Sequence, residues 1–318
     1  MKSLWKWLTT LMLAGLLASC GGDDTNYGKL TDVAQKNGFN ALLAAANKAG
    51  LGGALAAHDA DLTVFAPTDA AFATLATQLG FADAGAMVAA LPPPTLANIL
   101  NYHLLAGTRN SAELRSAGAS LATAYRFDGA AARLGLNASS GVVLTDAVLA
   151  TATVTAADVR ADNGVIHAVD KVLVPPGVLT VVQMAQANPA SFSALVAAIV
   201  ATDLAPALGA SGPFTVFAPT NSAFAAAPTG LSTAQVRSVL LYHVVAGQVL
   251  AAAIPFDTPV PTLNTSTLGG ATVPAQTLVI NRNLTITDSS ASAAPILATD
   301  VRASNGVIHV IGKVLIPR

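Results

Sequence analysis

The segment Asp158-Val-Arg-Ala-Asp-Asn-Gly-Val-Ile-His-Ala-Val-Asp-Lys-Val-Leu-Val-Pro175 returns 142 positions later as Asp300-Val-Arg-Ala-Ser-Asn-Gly-Val-Ile-His-Val-Ile-Gly-Lys-Val-Leu-Ile-Pro317. Composition does not produce a match of that length. Two more pairs precede it in the same order: Thr63-Val-Phe-Ala-Pro-Thr68 with Thr215-Val-Phe-Ala-Pro-Thr220, and Tyr102-His-Leu-Leu-Ala-Gly107 with Tyr242-His-Val-Val-Ala-Gly247. The 318 residues therefore contain a tandem duplication of one domain of about 140 residues, much longer than a solenoid or propeller repeat.

Each repeat begins with helical patterning and ends with strand patterning. Apolar residues fall three and four positions apart in residues 30–46 and 178–199, which predicts helices. The Thr-Val-Phe-Ala-Pro-Thr segments favour a strand that ends at its proline, with Thr68 and Thr220 placed to cap the following helix. Helices followed by strands predict an α+β fold in each repeat.

Two local features predict turns or loops. Asn163-Gly164 and Asn305-Gly306 indicate two-residue hairpin turns, because this dipeptide accepts positive φ. The first repeat is also twelve residues longer between the shared motifs, and we place the extra residues near 81–94. Pro92-Pro93-Pro94 predicts that this insertion is a loop.

The N-terminus has the pattern of an export signal, with Lys2 and Lys6 before an apolar run that is too short to cross a bilayer as a helix. The run ends at Leu17-Ala-Ser-Cys20, which resembles a bacterial lipobox, and Cys20 is the only cysteine. We predict a signal peptide at 1–19, lipidation of Cys20 and a tether at 20–28; the alternative is a chance cysteine in an ordinary secretory signal. Gly21 in place of aspartate after the cysteine favours the outer membrane.

The composition limits the classes of partner. Without residues 1–19 the chain carries 14 basic and 17 acidic side chains, which argues against a nucleic-acid partner, since that would need a basic face. Charged residues make up 10% of the chain, compared with about 25% in ordinary soluble domains. So few charges are compatible with an adhesive surface.

The motifs Thr-Val-Phe-Ala-Pro-Thr-x-x-Ala-Phe, Tyr-His-x-x-x-Gly and Asn-Gly-Val-Ile-His-x-x-x-x-Val-Leu-x-Pro resemble the conserved boxes of the fasciclin-like domain, in order and twice over. The resemblance covers nearly all of residues 28–318. It implies two α+β domains, at 29–176 and 177–318, each a compact β-wedge or sandwich packed with helices. It also implies a secreted or membrane-tethered adhesion or matrix protein.

In animal members of this family, the region around the Tyr-His pair is tied to receptor binding. The resemblance therefore implies a candidate adhesion surface made of Tyr102, His103, Leu104, Leu105, Tyr242, His243, Val244 and Val245. The short Asp-Ile receptor motifs have no clear counterpart, and the chain contains no Arg-Gly-Asp. A microbial surface, a polysaccharide or another envelope protein is a more suitable partner than an animal integrin.

The repeated histidines, His103 with His243 and His167 with His309, could be metal ligands or catalytic groups. The chain contains neither a His-Glu-x-x-His motif nor paired cysteines, so we predict half-buried, hydrogen-bonded histidines with structural roles. The Gly-x-Ser-x-Gly and phosphate-binding glycine motifs are also absent, and we predict no catalytic residues, no cofactor and no metal. The Asp-Val-Arg triplets at 158 and 300 predict a local ion pair or turn bond, and Lys171 and Lys313 predict protection of a sheet edge.

These observations predict a non-enzymatic, lipid-anchored envelope protein, periplasmic or surface-facing, that mediates adhesion or binds an extracellular protein or polysaccharide. The two domains would gain avidity if both engaged at once. The alternative is a small-ligand-binding or hydrolytic envelope protein that uses the repeated histidines in a cleft between the domains.

Overall fold

A computed structural model of the chain describes residues 26–264, 267–268, 271–272 and 276–317. The predicted signal peptide, Cys20 and most of the tether lie outside the described residues. We use the predicted division between Pro176 and Gly177 to name domain 1 and domain 2.

Domain 1 alternates helices and strands in its first half and is built of strands in its second half. In chain order its elements are α1 (Leu30–Lys36), α2 (Asn40–Lys48), α3 (Gly52–Ala56), β1 (Leu62–Pro67), α4 (Asp69–Gln78), α5 (Ala84–Ala90), α6 (Pro93–Tyr102), β2 (Leu104–Ala106), α7 (Ser111–Ser116), β3 (Ser120–Phe127), β4 (Ala130–Asn137), β5 (Val143–Thr145), β6 (Thr151–Ala161) and β7 (Gly164–Val169).

Domain 2 repeats this order with fewer helices. Its elements are α8 (Val181–Ala187), α9 (Pro189–Ala201), α10 (Ala205–Gly209), β8 (Phe214–Pro219), α11 (Asn221–Ala225), α12 (Thr233–Tyr242), β9 (Val244–Ala246), a 3-10 turn (Ala251–Ala253), β10 (Pro259–Pro261), β11 (Thr267–Leu268), β12 (Ala271–Thr272), β13 (Thr277–Asn281), β14 (Thr285–Thr287), β15 (Ala294–Ala303) and β16 (Gly306–Ile311).

Each domain is a seven-stranded mixed sheet packed with helices, which confirms the predicted α+β fold. The strand order is β2-β1-β7-β6-β5-β4-β3 in domain 1 and β10-β13-β14-β15-β16-β8-β9 in domain 2. One pair in each sheet is parallel, β1 with β7 and β8 with β16, and the remaining pairs are antiparallel. The parallel pair joins the two repeated motifs, because it places Phe65 opposite His167 and Phe217 opposite His309.

The predicted helix caps are present. The Thr68 hydroxyl accepts the Ala71 N–H at 3.2 Å, and the Thr220 hydroxyl accepts the Ala223 N–H at 3.3 Å. Each cap satisfies a donor that the first helical turn would otherwise leave unpaired. The strand therefore passes directly into a helix at the same point in both domains.

The hairpin turns occur where the Asn-Gly pairs predict them, but the turn residues differ from the prediction. Strand pairing joins Ala161 to Gly164 and Ala303 to Gly306, so the two turn positions are residues 162–163 and 304–305, and each glycine is the first residue of the next strand. Glycine is required there because a Cβ on Gly164 or Gly306 would lie 2.2 Å from a carbonyl oxygen of the neighbouring parallel strand.

The asparagine before each glycine anchors distant segments instead of supplying a positive φ. Asn163 accepts the Leu30 N–H at 2.8 Å and donates to the carbonyls of Leu55 and Ala57. Asn305 accepts the Val181 N–H and donates to the Leu208 and Ala210 carbonyls in the same way. Each hairpin tip thereby holds the start of the first helix of its own domain.

The twelve-residue insertion of domain 1 is helical, which corrects the prediction of a loop. It lengthens α4 to ten residues, compared with five in α11, and adds α5, which Asp83 caps by accepting the Ala86 N–H at 2.7 Å. Pro93 is the first residue of α6, a position where proline is favourable because no N–H is needed there. Met87, Val88 and Leu91 are buried by this packing.

The two domains contact each other through a shared apolar core and through polar contacts at the linker. One cluster of buried side chains on the helical side runs through both domains. At the linker, the Tyr125 hydroxyl donates to the Pro176 carbonyl at 3.0 Å and the Gly177 N–H donates to the Arg302 carbonyl at 2.8 Å. The Arg302 guanidinium lies 5.1 Å from the centre of the Phe127 ring and pairs with Asp128 at 2.9 Å.

Within the part of the chain that the structure describes, no helix is both long and apolar enough to cross a membrane.

Candidate functional site

The Tyr-His region lies at the C-terminal end of α6 and of α12 and continues into the short edge strands β2 and β9. Its eight predicted adhesion residues are all buried: Tyr102 0%, His103 1%, Leu104 8%, Leu105 1%, Tyr242 2%, His243 2%, Val244 2% and Val245 5% exposed. Their side chains therefore do not form a contact surface in the folded domain. They belong to the core, because the helix end and the edge strand pack into the sheet.

His103 and His243 join their helix to the segment that follows the last strand. The Ile99 carbonyl lies 2.7 Å from His103 Nδ1, and the Leu173 N–H lies 2.8 Å from Nε2. A carbonyl only accepts and an N–H only donates, so the neutral ring carries its proton on Nδ1. His243 has the same geometry, with the Val239 carbonyl at 2.7 Å and the Leu315 N–H at 2.9 Å.

Burial sets the charge state of these two rings. It lowers the pKa of His103 and of His243 from 6.5 to about 4, although the hydrogen bond to the helix carbonyl acts in the opposite direction. Both rings are neutral near pH 7. A neutral histidine with both nitrogens in use does not transfer protons to a substrate without breaking the core.

The tyrosines beside them are anchored as well. The Tyr102 hydroxyl donates to the Arg133 carbonyl at 2.9 Å, and the Tyr242 hydroxyl donates to the Thr277 carbonyl at 2.9 Å. Burial, with a smaller contribution from the charge of Asp146, raises the pKa of Tyr102 well above its ordinary value. Each Tyr-His pair therefore connects a helix to one strand of the sheet and to the segment that follows the last strand.

His167 and His309 use the opposite tautomer. His167 accepts the Asp158 N–H on Nδ1 at 3.2 Å and donates from Nε2 to the Arg109 carbonyl at 2.8 Å. His309 accepts the Asp300 N–H at 3.4 Å and donates to the Val249 carbonyl at 2.9 Å. The predicted hydrogen bonds of the repeated histidines are present, and the rings are buried instead of half buried.

The Asp-Val-Arg triplets lie at a bulge in the sheet of each domain. Asp158 and Asp300 have φ of 61°, and the ladder register shifts beside each of them. The Asp158 carboxylate accepts the N–H and hydroxyl of Ser111, at 2.7 and 2.6 Å, and Asp300 accepts the Ala251 N–H at 2.8 Å. The prediction of a local bond is wrong, because these carboxylate partners lie 47 and 49 positions away in the sequence and Arg302 pairs with Asp128 of the other domain.

Two carboxylates that the sequence did not single out also lie near the closing segments. Asp146 is buried and accepts the N–H groups of Val148, Ala150 and Val174, and its burial raises the pKa of its carboxyl to about 7 against the effect of these donors. Its counterpart Asp288 pairs with Lys313 at 3.1 Å. Lys313 also donates to the Ser292 carbonyl and therefore stabilises the turn between β14 and β15, which corrects its prediction as a residue that protects a sheet edge.

The histidines therefore do not converge on a cleft between the domains. Each is buried within its own domain and is hydrogen-bonded there. Among residues 26–264 and 276–317, no three His, Cys, Asp or Glu side chains are grouped so that they could hold a metal ion. The hydrogen bonds of these histidines connect separate segments of each domain and stabilise it.

The duplicated motifs thus occupy equivalent structural positions, and a sequence profile of the Fasciclin domain matches residues 37–175 and 190–317. The chain belongs to the fasciclin domain family. Protein sll1483 of Synechocystis is 40% identical over 147 residues, which are 44% of this chain and 74% of that protein. Human periostin is 33% identical over 165 residues, 49% of this chain and 18% of periostin.

Other fasciclin-domain relatives include transforming growth factor-beta-induced protein ig-h3 of the pig, 32% identical over 170 residues, which are 52% of this chain and 23% of that protein. The chain spans less than a quarter of the length of these two animal relatives. A solved structure of a FAS1 domain pair from the insect cell adhesion molecule fasciclin I aligns with 90% of this chain and 95% of its own, at 18% identity and a TM-score of 0.41.

Proposed function

We propose that this fasciclin-domain protein is a lipid-anchored, non-enzymatic protein of the cell envelope that binds an extracellular protein or polysaccharide and thereby mediates adhesion. The observation that supports this most directly is the pair of fasciclin domains, related in sequence to periostin and to protein ig-h3. The lipobox resemblance at Cys20 supports the anchor, and Gly21 supports the outer membrane.

The geometry is compatible with a protein that presents binding surfaces to a partner. Both domains hold their polar motif residues in hydrogen bonds, and the linker is fixed by contacts with Phe127 and Arg302. A rigid pair of similar domains presents two similar surfaces at a constant spacing, which allows avidity. The partner would contact exposed residues, since the Tyr-His region acts as their support.

The alternative of a hydrolytic or small-ligand role for the histidines requires at least one accessible ring nitrogen. All eight nitrogens of the four repeated histidines have a hydrogen-bond partner within the chain. We therefore favour binding over catalysis.

Adhesion is tested with beads that carry residues 21–318, applied to a glycan array and to cells of the host and of neighbouring species. We expect specific, saturable retention that soluble protein competes away. Beads coated with the same protein after acid unfolding are the control. Retention equal to the control on every surface would contradict the adhesion proposal.

The anchor is tested separately on the full chain in a bacterial host, with a clickable fatty acid and membrane fractionation. We expect labelling and membrane association that Cys20→Ser abolishes. Equal labelling and equal partitioning of both proteins would show that Cys20 is not acylated.

A further inference from the structure

The duplication provides two copies of one apolar site between the helices, which we call the seat. The two copies differ in the residues that cover them. In domain 2 the seat is a groove of about 400 Å³ whose floor includes Phe224, Val236, Val239, Leu240, Val314 and Ile316. We call it the α12 groove. Phe224, Val236, Val239 and Ile316 remain partly exposed to solvent there.

The equivalent seat in domain 1 is closed. Phe72, Leu96 and Ile99 stand where domain 2 has Phe224, Val236 and Val239, and they are 2%, 2% and 5% exposed. The space left between them is about 10 Å³. Domain 1 therefore shows what this seat looks like when it is filled.

Three segments fill it. Met87 belongs to the insertion helix α5, Leu91 is the residue after α5, and Leu79 is the residue after α4. Leu179, at the start of domain 2, also lines it. A side chain from outside the domain thus already docks at this place in the molecule.

Domain 2 lacks the first two contributions. Its α11 ends at Ala225, Pro228 follows, and α12 begins at Thr233, so no helix corresponds to α5. Leu75 is replaced by Ala227, which removes further volume from the seat. The rim is the exposed segment from Pro228 to Leu231, and Leu231 is 37% exposed.

The charge at one end of the seat is also matched. In domain 1, Lys48 donates to the Val88 and Ala89 carbonyls at the C-terminal end of α5. Lys48 is the last residue of α2, and α9 is the counterpart of α2 in domain 2. At the C-terminal end of α9, Arg237 donates to the Thr202 carbonyl at 2.5 Å. A cation at this place favours the C-terminal end of a bound helix.

We propose that the α12 groove binds a short amphipathic helix of a partner protein, with apolar side chains at positions i, i+1 and i+4, the spacing of Met87 and Val88 of α5 and of Leu91, the residue after α5. The helix would lie as α5 lies in domain 1, with its C-terminal carbonyls toward Arg237. Recognition by an apolar helix face is an established mode of peptide binding, and burial of three such side chains supplies the affinity. This inference holds whether or not the protein is adhesive or anchored.

The test uses a labelled peptide with the sequence of residues 81–94. A lactam bridge between Gly85→Lys and Ala89→Glu, two exposed positions of α5, keeps the peptide helical. Fluorescence anisotropy would measure its binding to residues 21–318, and we expect saturable binding. The same peptide with Met87→Asp and Leu91→Asp should bind at least about tenfold more weakly.

A groove-filling variant locates the site. Ala227→Leu restores the residue of domain 1, and we expect it to weaken peptide binding about tenfold while leaving the fold intact. Ala226→Leu, one position earlier on the exposed side, is the matched control and should bind the peptide like the unaltered protein. Circular dichroism and thermal melting of both variants verify that they fold.

Several outcomes would overturn the proposal. These are failure of the bridged peptide to bind, equal binding of the double-aspartate peptide, and equal binding to both alanine variants. A dimer of the unaltered protein that Ala227→Leu dissociates would show that a second copy fills the groove instead. Binding of a fatty acid in the groove, with no binding of the peptide, would make it a lipid site.

Discussion

Protonation of His103 or His243 would remove the acceptor that the Leu173 or Leu315 N–H uses, and would leave a charge in the core. The two rings have a folded-state pKa of about 4, below the ordinary 6.5. Their contribution to stability is therefore complete above pH 6.5 and is lost as the pH falls toward 4. These side chains make the fold sensitive to acid.

We predict that the free energy of unfolding of the protein falls as the pH is lowered from 7 to 4.5. Complete protonation of each buried histidine ring lowers it by about 3 kcal/mol. Urea denaturation across this range measures it. His243→Gln should be less stable at pH 7 and should show a shallower slope. A slope unchanged by the substitution would mean that other groups cause the acid sensitivity.

The equivalent carboxylates Asp146 and Asp288 predict different acid responses of the two domains. Burial raises the pKa of Asp146 to about 7, so its contribution to stability is complete below its unfolded pKa and is lost as the pH rises through 7, which opposes the effect of His103. Partial burial acts to raise the pKa of Asp288, but hydrogen bonds from Ser290, Ile316 and Lys313 outweigh it and keep that pKa below its ordinary value.

We therefore expect domain 2 to open first on acidification, because its histidine and its carboxylate both lose stability as the pH falls. Hydrogen exchange read by mass spectrometry at pH 7 and 4.5, corrected for intrinsic rates, would compare β16 with β7. Earlier loss of protection in β7 would contradict this prediction.

Among the helices and strands, the insertion helix α5 makes the largest difference between the domains. The twelve extra residues and the three prolines are visible in the sequence, but the insertion is too short for its periodicity to distinguish a helix from a loop. The helix forms because Asp83 caps it, Lys48 binds its last carbonyls and the seat between α2, α4 and α6 buries Met87. The last two causes depend on the tertiary neighbours.

We predict that Met87→Ala lowers the free energy of unfolding by about 2–5 kcal/mol, since it removes a fully buried side chain and leaves a cavity. The control Val200→Ala changes an apolar residue that is 62% exposed and should stay within about 0.5 kcal/mol. Urea denaturation at pH 7.5 measures both. Equal effects would show that α5 does not close the seat in solution.

At the level of the whole chain, the orientation of the domains depends on the linker. Gly177 has φ of +74°, and a Cβ at this position would lie 2.2 Å from the Phe127 ring, against which the Arg302 guanidinium packs. Gly230 has nearly the same φ, +78°, but a Cβ added there would meet nothing within 4 Å. Substitution of these two glycines therefore separates backbone strain from a clash between the domains.

We predict that Gly230→Ala costs about 1–2 kcal/mol from the left-handed backbone alone. Gly177→Ala should cost about 1–3 kcal/mol more from the clash and should shift the domains apart. Urea denaturation measures the first effect, and small-angle X-ray scattering measures the second as a larger radius of gyration. The added Phe127→Ala change should restore the original radius; no difference between the two glycine variants would refute a fixed linker.

The duplication, the change from helices to strands in each repeat and the helix caps at Thr68 and Thr220 could be predicted from the sequence, because they depend on repeated motifs, local periodicity and side chains that bond within one turn. The burial of the Tyr-His residues could not, since His103 finds its partner at Leu173, 70 positions away. The roles of Asn163 and Asn305 were missed for the same reason: their partners lie in the helical part of each domain, 95 to 133 positions away. The open α12 groove also follows from packing, because it exists only where distant helices meet and the side chains that would cover them are absent from one copy of the fold.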